Sequence, residues 1–103
     1  MNKYKLIILD SAFYDLEIIF YFCKINYNII YATKIINLLL KESFSLDIFP
    51  FANPIFYVTS QYVVRKKIVF KRYLIIYTIV KNYVFVFNIF DGRRNINPTD
   101  LFK

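Results

Sequence analysis

Apolar residues recur at helical spacing through the first forty or so positions of this chain and at every second position after about residue 60. The switch divides the chain into a helical part and a stranded part. Residues 4–9 form a short apolar run ending at Asp10-Ser11, the pattern of a strand followed by a helix N-cap, with Asp15 and Glu17 near the positive end of the helix dipole. Ala12, Leu16, Ile19, Phe20 and Cys23 then repeat at helical spacing, and the pattern fades over residues 24–27. Asn28 is placed to cap a second helix, in which Ala32, Ile35, Ile36, Leu39 and Leu40 form one apolar stripe while Lys34, Asn37 and Lys41 face away. Two such helices joined by a short loop make an antiparallel hairpin.

The helical period breaks at Ser43, and Pro50 and Pro54 mark an irregular crossing. Residues 62–70, 73–80 and 83–90 are rich in Val, Ile, Tyr and Phe and read as strands, separated by Lys71-Arg72 and Lys81-Asn82. The second separator suits a tight hairpin because Asn tolerates positive φ. Asp91-Gly92 should end the last strand, leaving residues 95–103 as a polar tail in which Pro98 cannot continue a ladder. The layout is a strand, a helix hairpin and three or four antiparallel strands, an α+β domain with its helices packed on one sheet face.

Length and composition sharpen this picture. The 103 residues make one domain, spanning 1–103. Apolar residues reach 58%, and 12 Phe with 10 Tyr are more than a domain of this size hides. An exposed apolar face that a partner normally covers is therefore expected. The apolar runs at 73–80 and 83–87 fall far short of the roughly 20 residues that span a bilayer. Asp10 also ends the first run too early for a signal peptide. These features predict a cytoplasmic protein with no membrane partner. Cys23 stands alone and the chain has no His, so no internal disulfide, metal site or cofactor is expected.

Charge adds the main functional clue. Residues 1–64 hold five Lys and five acids, residues 95–103 hold Lys103 and Asp100, and the segment 65–94 holds eight Lys/Arg against Asp91 alone. The formal net charge of +7 is thus concentrated in the stranded part, as a protein that holds a polyanion or an acidic protein requires. Alternation along a strand puts Arg65 and Lys67 on one face and Lys66 on the other with Tyr62, Val64, Ile68 and Phe70. Arg94, just past the last strand, can reach the same groove, and Arg65, Lys67 and Arg94 would then converge on one phosphate. Lys66, Lys71, Arg72 and Arg93 are further candidates for binding a nucleic acid or another target, and the tyrosines at 62, 73, 77 and 83 for stacking on bases. The chain has no Gly-rich phosphate loop, nucleophile elbow or paired carboxylates. The enzymatic option left is metal-free RNA cleavage, with the ribose 2′-OH as nucleophile and a crowded Lys as base.

The order of elements resembles the RelE/ParE superfamily of bacterial type II toxins. The resemblance runs from Tyr4-Lys5-Leu6-Ile7-Ile8 through Ala12, Asp15-Leu16, Ala32 and Phe49-Pro50 to Arg65-Lys66-Lys67-Ile68-Val69, Tyr73-Leu74-Ile75-Ile76-Tyr77 and Gly92-Arg93-Arg94-Asn95. It implies a mostly antiparallel, twisted sheet of four to five strands beneath the helix hairpin. It also implies a cognate antitoxin, small and acidic, laid over the apolar and basic surfaces. RelE-like members cleave messenger RNA on the ribosome, and Arg65, Lys67 and Arg94 fall where their cationic active-site residues lie. ParE-like members instead poison DNA gyrase. The chain departs from the RelE-like pattern at Leu74, where a further Arg is usual, and in a tail without Tyr. Both modes stay open at this point, as does a non-toxic nucleic-acid-binding or antitoxin-binding module.

Overall fold

A computed structural model describes residues 3–92. Strand β1 (Lys5–Ile8) runs directly into helix α1 (Asp10–Asn26), which turns back into α2 (Ile29–Phe44). Two single 3₁₀ turns, Ser45–Asp47 and Pro50–Ala52, lead to β2 (Ile55–Val58), and β3 (Val63–Val69), β4 (Tyr73–Val80) and β5 (Tyr83–Asp91) complete the chain. The five strands form one sheet in the order β1-β5-β4-β3-β2, antiparallel throughout except for the parallel β1–β5 pair. The α+β layout and the helix hairpin are as the sequence predicts. Strand β2 is the addition: it falls in the stretch read as an irregular crossing, where four residues after Pro54 with a bulge between Ile55 and Tyr57 leave no period to detect.

Both helices bury the expected stripes, Ala12, Leu16, Ile19 and Cys23 on α1 and Ala32, Ile35 and Leu39 on α2. These close over Val69, Tyr73, Ile75, Tyr77, Val84, Val86 and Ile89 from the facing side of the sheet. Asn28 caps α2 as expected, its side chain accepting the Tyr31 N–H at 2.8 Å. The start of α1 differs. Its N-cap is Leu9, with no side-chain cap, because Leu9 still pairs with Val86 and leaves no room for an Asp-Ser cap. Ser11 donates instead to the Phe87 carbonyl at 2.6 Å, and Asp15 accepts from Asn88 Nδ2 and Ile89 N at 2.9 and 3.0 Å. Both tie α1 to the irregular stretch of β5, where its register with β4 shifts.

A second, smaller cluster of Val64, Ile76 and Phe90, flanked by Phe56, Tyr57 and Leu74, lies on the sheet face away from the helices. Much apolar surface stays uncovered, as composition predicts. Tyr14, Ile18, Tyr21, Phe22 and Ile25 are exposed along α1. No helix among the described residues is long and apolar enough to cross a membrane.

Candidate functional site

Arg65 and Lys67 share a face of β3, as alternation requires, and that face is the helix side: Arg65 pairs with Tyr77 and Lys67 with Ile75 of the core. Helix α1 lies along β5, and at the β3 side of this face the last turn of α2 reaches the sheet through Glu42. Here Lys67 and Arg65 meet the crossing that follows α2. Lys67 Nζ sits 2.7 Å from Glu42 Oε2 and donates to Ser45 Oγ at 2.8 Å. The Arg65 guanidinium donates to the carbonyls of Asn53 and Phe51 at 2.7 and 3.3 Å and lies 5.3 Å from the Phe51 ring centre. Tyr77 adds a third tie, its hydroxyl donating to the Pro50 carbonyl at 2.6 Å. The cationic pair singled out from sequence therefore also pins the 42–53 crossing to the sheet.

That crossing forms the wall of a groove. Phe51, Ile55, Tyr62, Val63, Arg65 and Lys81 are among the residues lining a depression of about 500 Å³ between the crossing, the start of β3 and the end of β4. Phe51 is 59% exposed and Tyr62 42%, so their rings are accessible there. Of the four tyrosines considered for base stacking, Tyr73 and Tyr77 are withdrawn, at 1% and 0% exposure. They occupy core positions because their register places them beneath the helices. Burial raises the Tyr77 phenol above its usual pKa, partly offset by Asn53 and Arg65. Burial likewise raises Tyr73, reinforced by its contact with the Cys23 thiol at 3.8 Å.

The other predicted residues are dispersed. Lys66 points to the opposite face, 5.3 Å from the Phe56 ring centre. Lys71 and Arg72 occupy the β3–β4 turn, at the far end of the hairpin from the groove. Arg72 lies 3.1 Å from Asp91 and 5.0 Å from the Tyr73 ring centre. Burial opposes its charge, but the hydrogen bond to Asp91 together with the charge interactions with Tyr73 and Asp91 and a bond with Tyr27 raises the guanidinium pKa. Leu74 sits on the face away from the helices, against Val64, Ile76 and Phe90, so its side chain does not share the Arg65 face. Arg93 and Arg94 lie outside the described residues. The last described residue, Gly92, is bonded to Arg72 at that same far end.

Sequence reasoning missed Lys81. In the sequence it reads only as a turn residue, yet it lines the groove and itself adopts φ 56°, the positive value expected of Asn82. A two-residue loop whose first position has positive φ matches the strand twist, and its charge position is the signal that would have marked it.

No protein-family model matches the chain, and no curated protein sequence matches it. Among solved structures, a chain described as "Chromosomal ParDE TA system from P. aeruginosa" superposes with a TM-score of 0.75 over 86% of this chain and 96% of its own, at 12% identity. The chain has a ParE-like fold. The expected strand, helix hairpin and antiparallel strands are those of that fold, with β1 added in parallel at its edge. The groove is bounded by the ties that hold the 42–53 crossing, and its charge comes from Arg65 and Lys81.

Proposed function

We propose that this protein is the toxin of a type II toxin–antitoxin module and that it arrests growth by binding DNA gyrase rather than by cutting messenger RNA. The likeness to a ParDE chain supports the toxin reading, and the engagement of Lys67 supports the mode. To act as the base in 2′-OH activation, Lys67 would have to leave Glu42 at 2.7 Å and Ser45 at 2.8 Å, releasing the crossing that walls the groove. Its chemistry is that of a structural clamp. Arg65 is likewise committed to two backbone carbonyls, which fits it to shape a docking groove. The exposed apolar face of α1 then supplies the surface that a small acidic antitoxin covers. The working compartment is the cytoplasm, where both partners reside.

Substitution separates the two modes. Lys67→Met keeps the aliphatic stem and deletes the ammonium. We expect it to retain growth arrest when induced without antitoxin, with a stability loss of about 1 kcal/mol, the scale for a partly exposed ion pair. Arg65→Ala frees the Phe51 and Asn53 carbonyls, deforms the groove and should abolish arrest while antitoxin still co-purifies. Loss of arrest in Lys67→Met at unchanged fold and expression would restore a nuclease reading.

A further inference from the structure

Lys81 belongs to two clefts. On one side it lines the groove with Arg65 and Phe51. On the other it forms, with Lys3, Tyr4 and Asn82, a second depression of about 210 Å³ at the turn end of the β4–β5 hairpin. The two are linked by an edge-on contact of the Tyr4 and Phe51 rings, 6.1 Å between centres. Close by, Lys5 lies 5.9 Å from the centre of the Tyr83 ring, which stacks on Phe85. No residue lining either cleft is acidic. Cations therefore stand along one continuous path, Arg65 to Lys81 to Lys3, interleaved with aromatic rings.

We propose that this path is a binding track for single-stranded nucleic acid, in which Lys81 and Lys3 hold successive phosphates and Tyr62 and Phe51 provide flat surfaces for bases. Alternation of point charges with exposed rings is what a single strand needs, since phosphates are neutralised by ammonium groups and every base has a face to stack. An acidic peptide would use the cations but has no need of the rings. The track shares the Arg65 groove with the growth-arrest reading but extends past it to Lys81 and Lys3, and binding by the isolated chain is measured without any growth readout, so the two fail separately. RNA and DNA share the phosphodiester chemistry, so both are tested.

The test is fluorescence anisotropy with the purified full chain and labelled oligouridylate and oligo-dT of about ten nucleotides, titrated across a range of salt. Saturable binding to either oligonucleotide is expected, with both bound alike if the 2′-OH plays no part. For single strands each neutralised phosphate contributes about 0.7 to the slope of log K against log salt. Lys81→Asn, which tolerates the positive φ of that turn, and Lys3→Gln should each lower the slope by about 0.7 and the pair by about 1.4. Lys24→Gln, at the end of α1, should not change it. Lys81→Gly, which also suits the backbone, guards against a folding artefact and should match Lys81→Asn, with circular dichroism melting confirming the fold. An unchanged slope in the double variant overturns the proposal, as does absence of binding to both oligonucleotides. Displacement of the oligonucleotide by polyglutamate at equal charge concentration would also overturn it, reassigning the track to an acidic protein.

Discussion

A Cβ at position 92 would meet the Arg72 carbonyl oxygen at 2.7 Å, a backbone atom within the β3–β4 turn that has little freedom to withdraw. Gly92 has no positive φ, so this close approach alone explains the chain's single glycine. Gly92→Ala should cost about 1–3 kcal/mol, the usual penalty for forced crowding, measured as a lower urea midpoint at unchanged slope. The buried phenols give a second residue-level expectation. Tyr73 and Tyr77 titrate near 10.0 when unfolded and higher when folded, first because of burial. The folded state therefore keeps protons that the unfolded state releases above pH 10. Stability should be flat below that pH and fall above it, by up to about 1.4 kcal/mol per pH unit for each tyrosine. Tyr77→Phe should lessen the slope while costing about 1–3 kcal/mol at neutral pH, because the Pro50 carbonyl loses its donor. Alkaline melts of the two proteins, followed by tyrosinate absorbance, check both parts.

Among the elements, the turn between β3 and β4 carries the clearest local strain. Phe70 and Lys71 both adopt positive φ, 58° and 54°, a conformation that bulky residues adopt at a cost of about 1–3 kcal/mol each. Replacing the pair with Asn-Gly should raise the melting temperature, a stabilisation of about 1–2 kcal/mol. No change would mean that the Phe70 side chain contributes contacts that offset the strain. Sequence placed this turn one residue late, at Lys71-Arg72, because neither Phe nor Lys carries a turn signal. The long, strongly periodic elements were legible for the opposite reason. The stripes of α1 and α2 and the alternation of β4 repeat often enough to fix type and face, whereas β2 has four residues and a bulge. The site was legible only in part. Alternation correctly put Arg65 and Lys67 on one face, but no local pattern could reveal Glu42, Ser45 and Asn53 as their partners, which are separated from them by 12 to 25 positions.

At the scale of the molecule, two exposed surfaces stand apart, one cationic and aromatic and one apolar. The groove lies at the β2–β3 side of the sheet and at the turn end of the β4–β5 hairpin, where Arg65 and Lys81 stand among exposed Phe51, Ile55 and Tyr62, while a second set of exposed apolar side chains runs along α1. Under the proposed function, an antitoxin laid on α1 leaves the groove open to the target. In the proposed function, growth arrest proceeds by target binding, with Arg65 and Lys67 as architecture. This is tested most directly by brief induction of the chain without antitoxin, followed by primer extension on a reporter messenger RNA and by plasmid topology from the same cells. Arrest with intact messenger RNA, an SOS response and altered supercoiling is expected. Cuts in phase with codons that disappear when translation is blocked, with supercoiling unchanged, would contradict that reading and return Lys67 to a catalytic role.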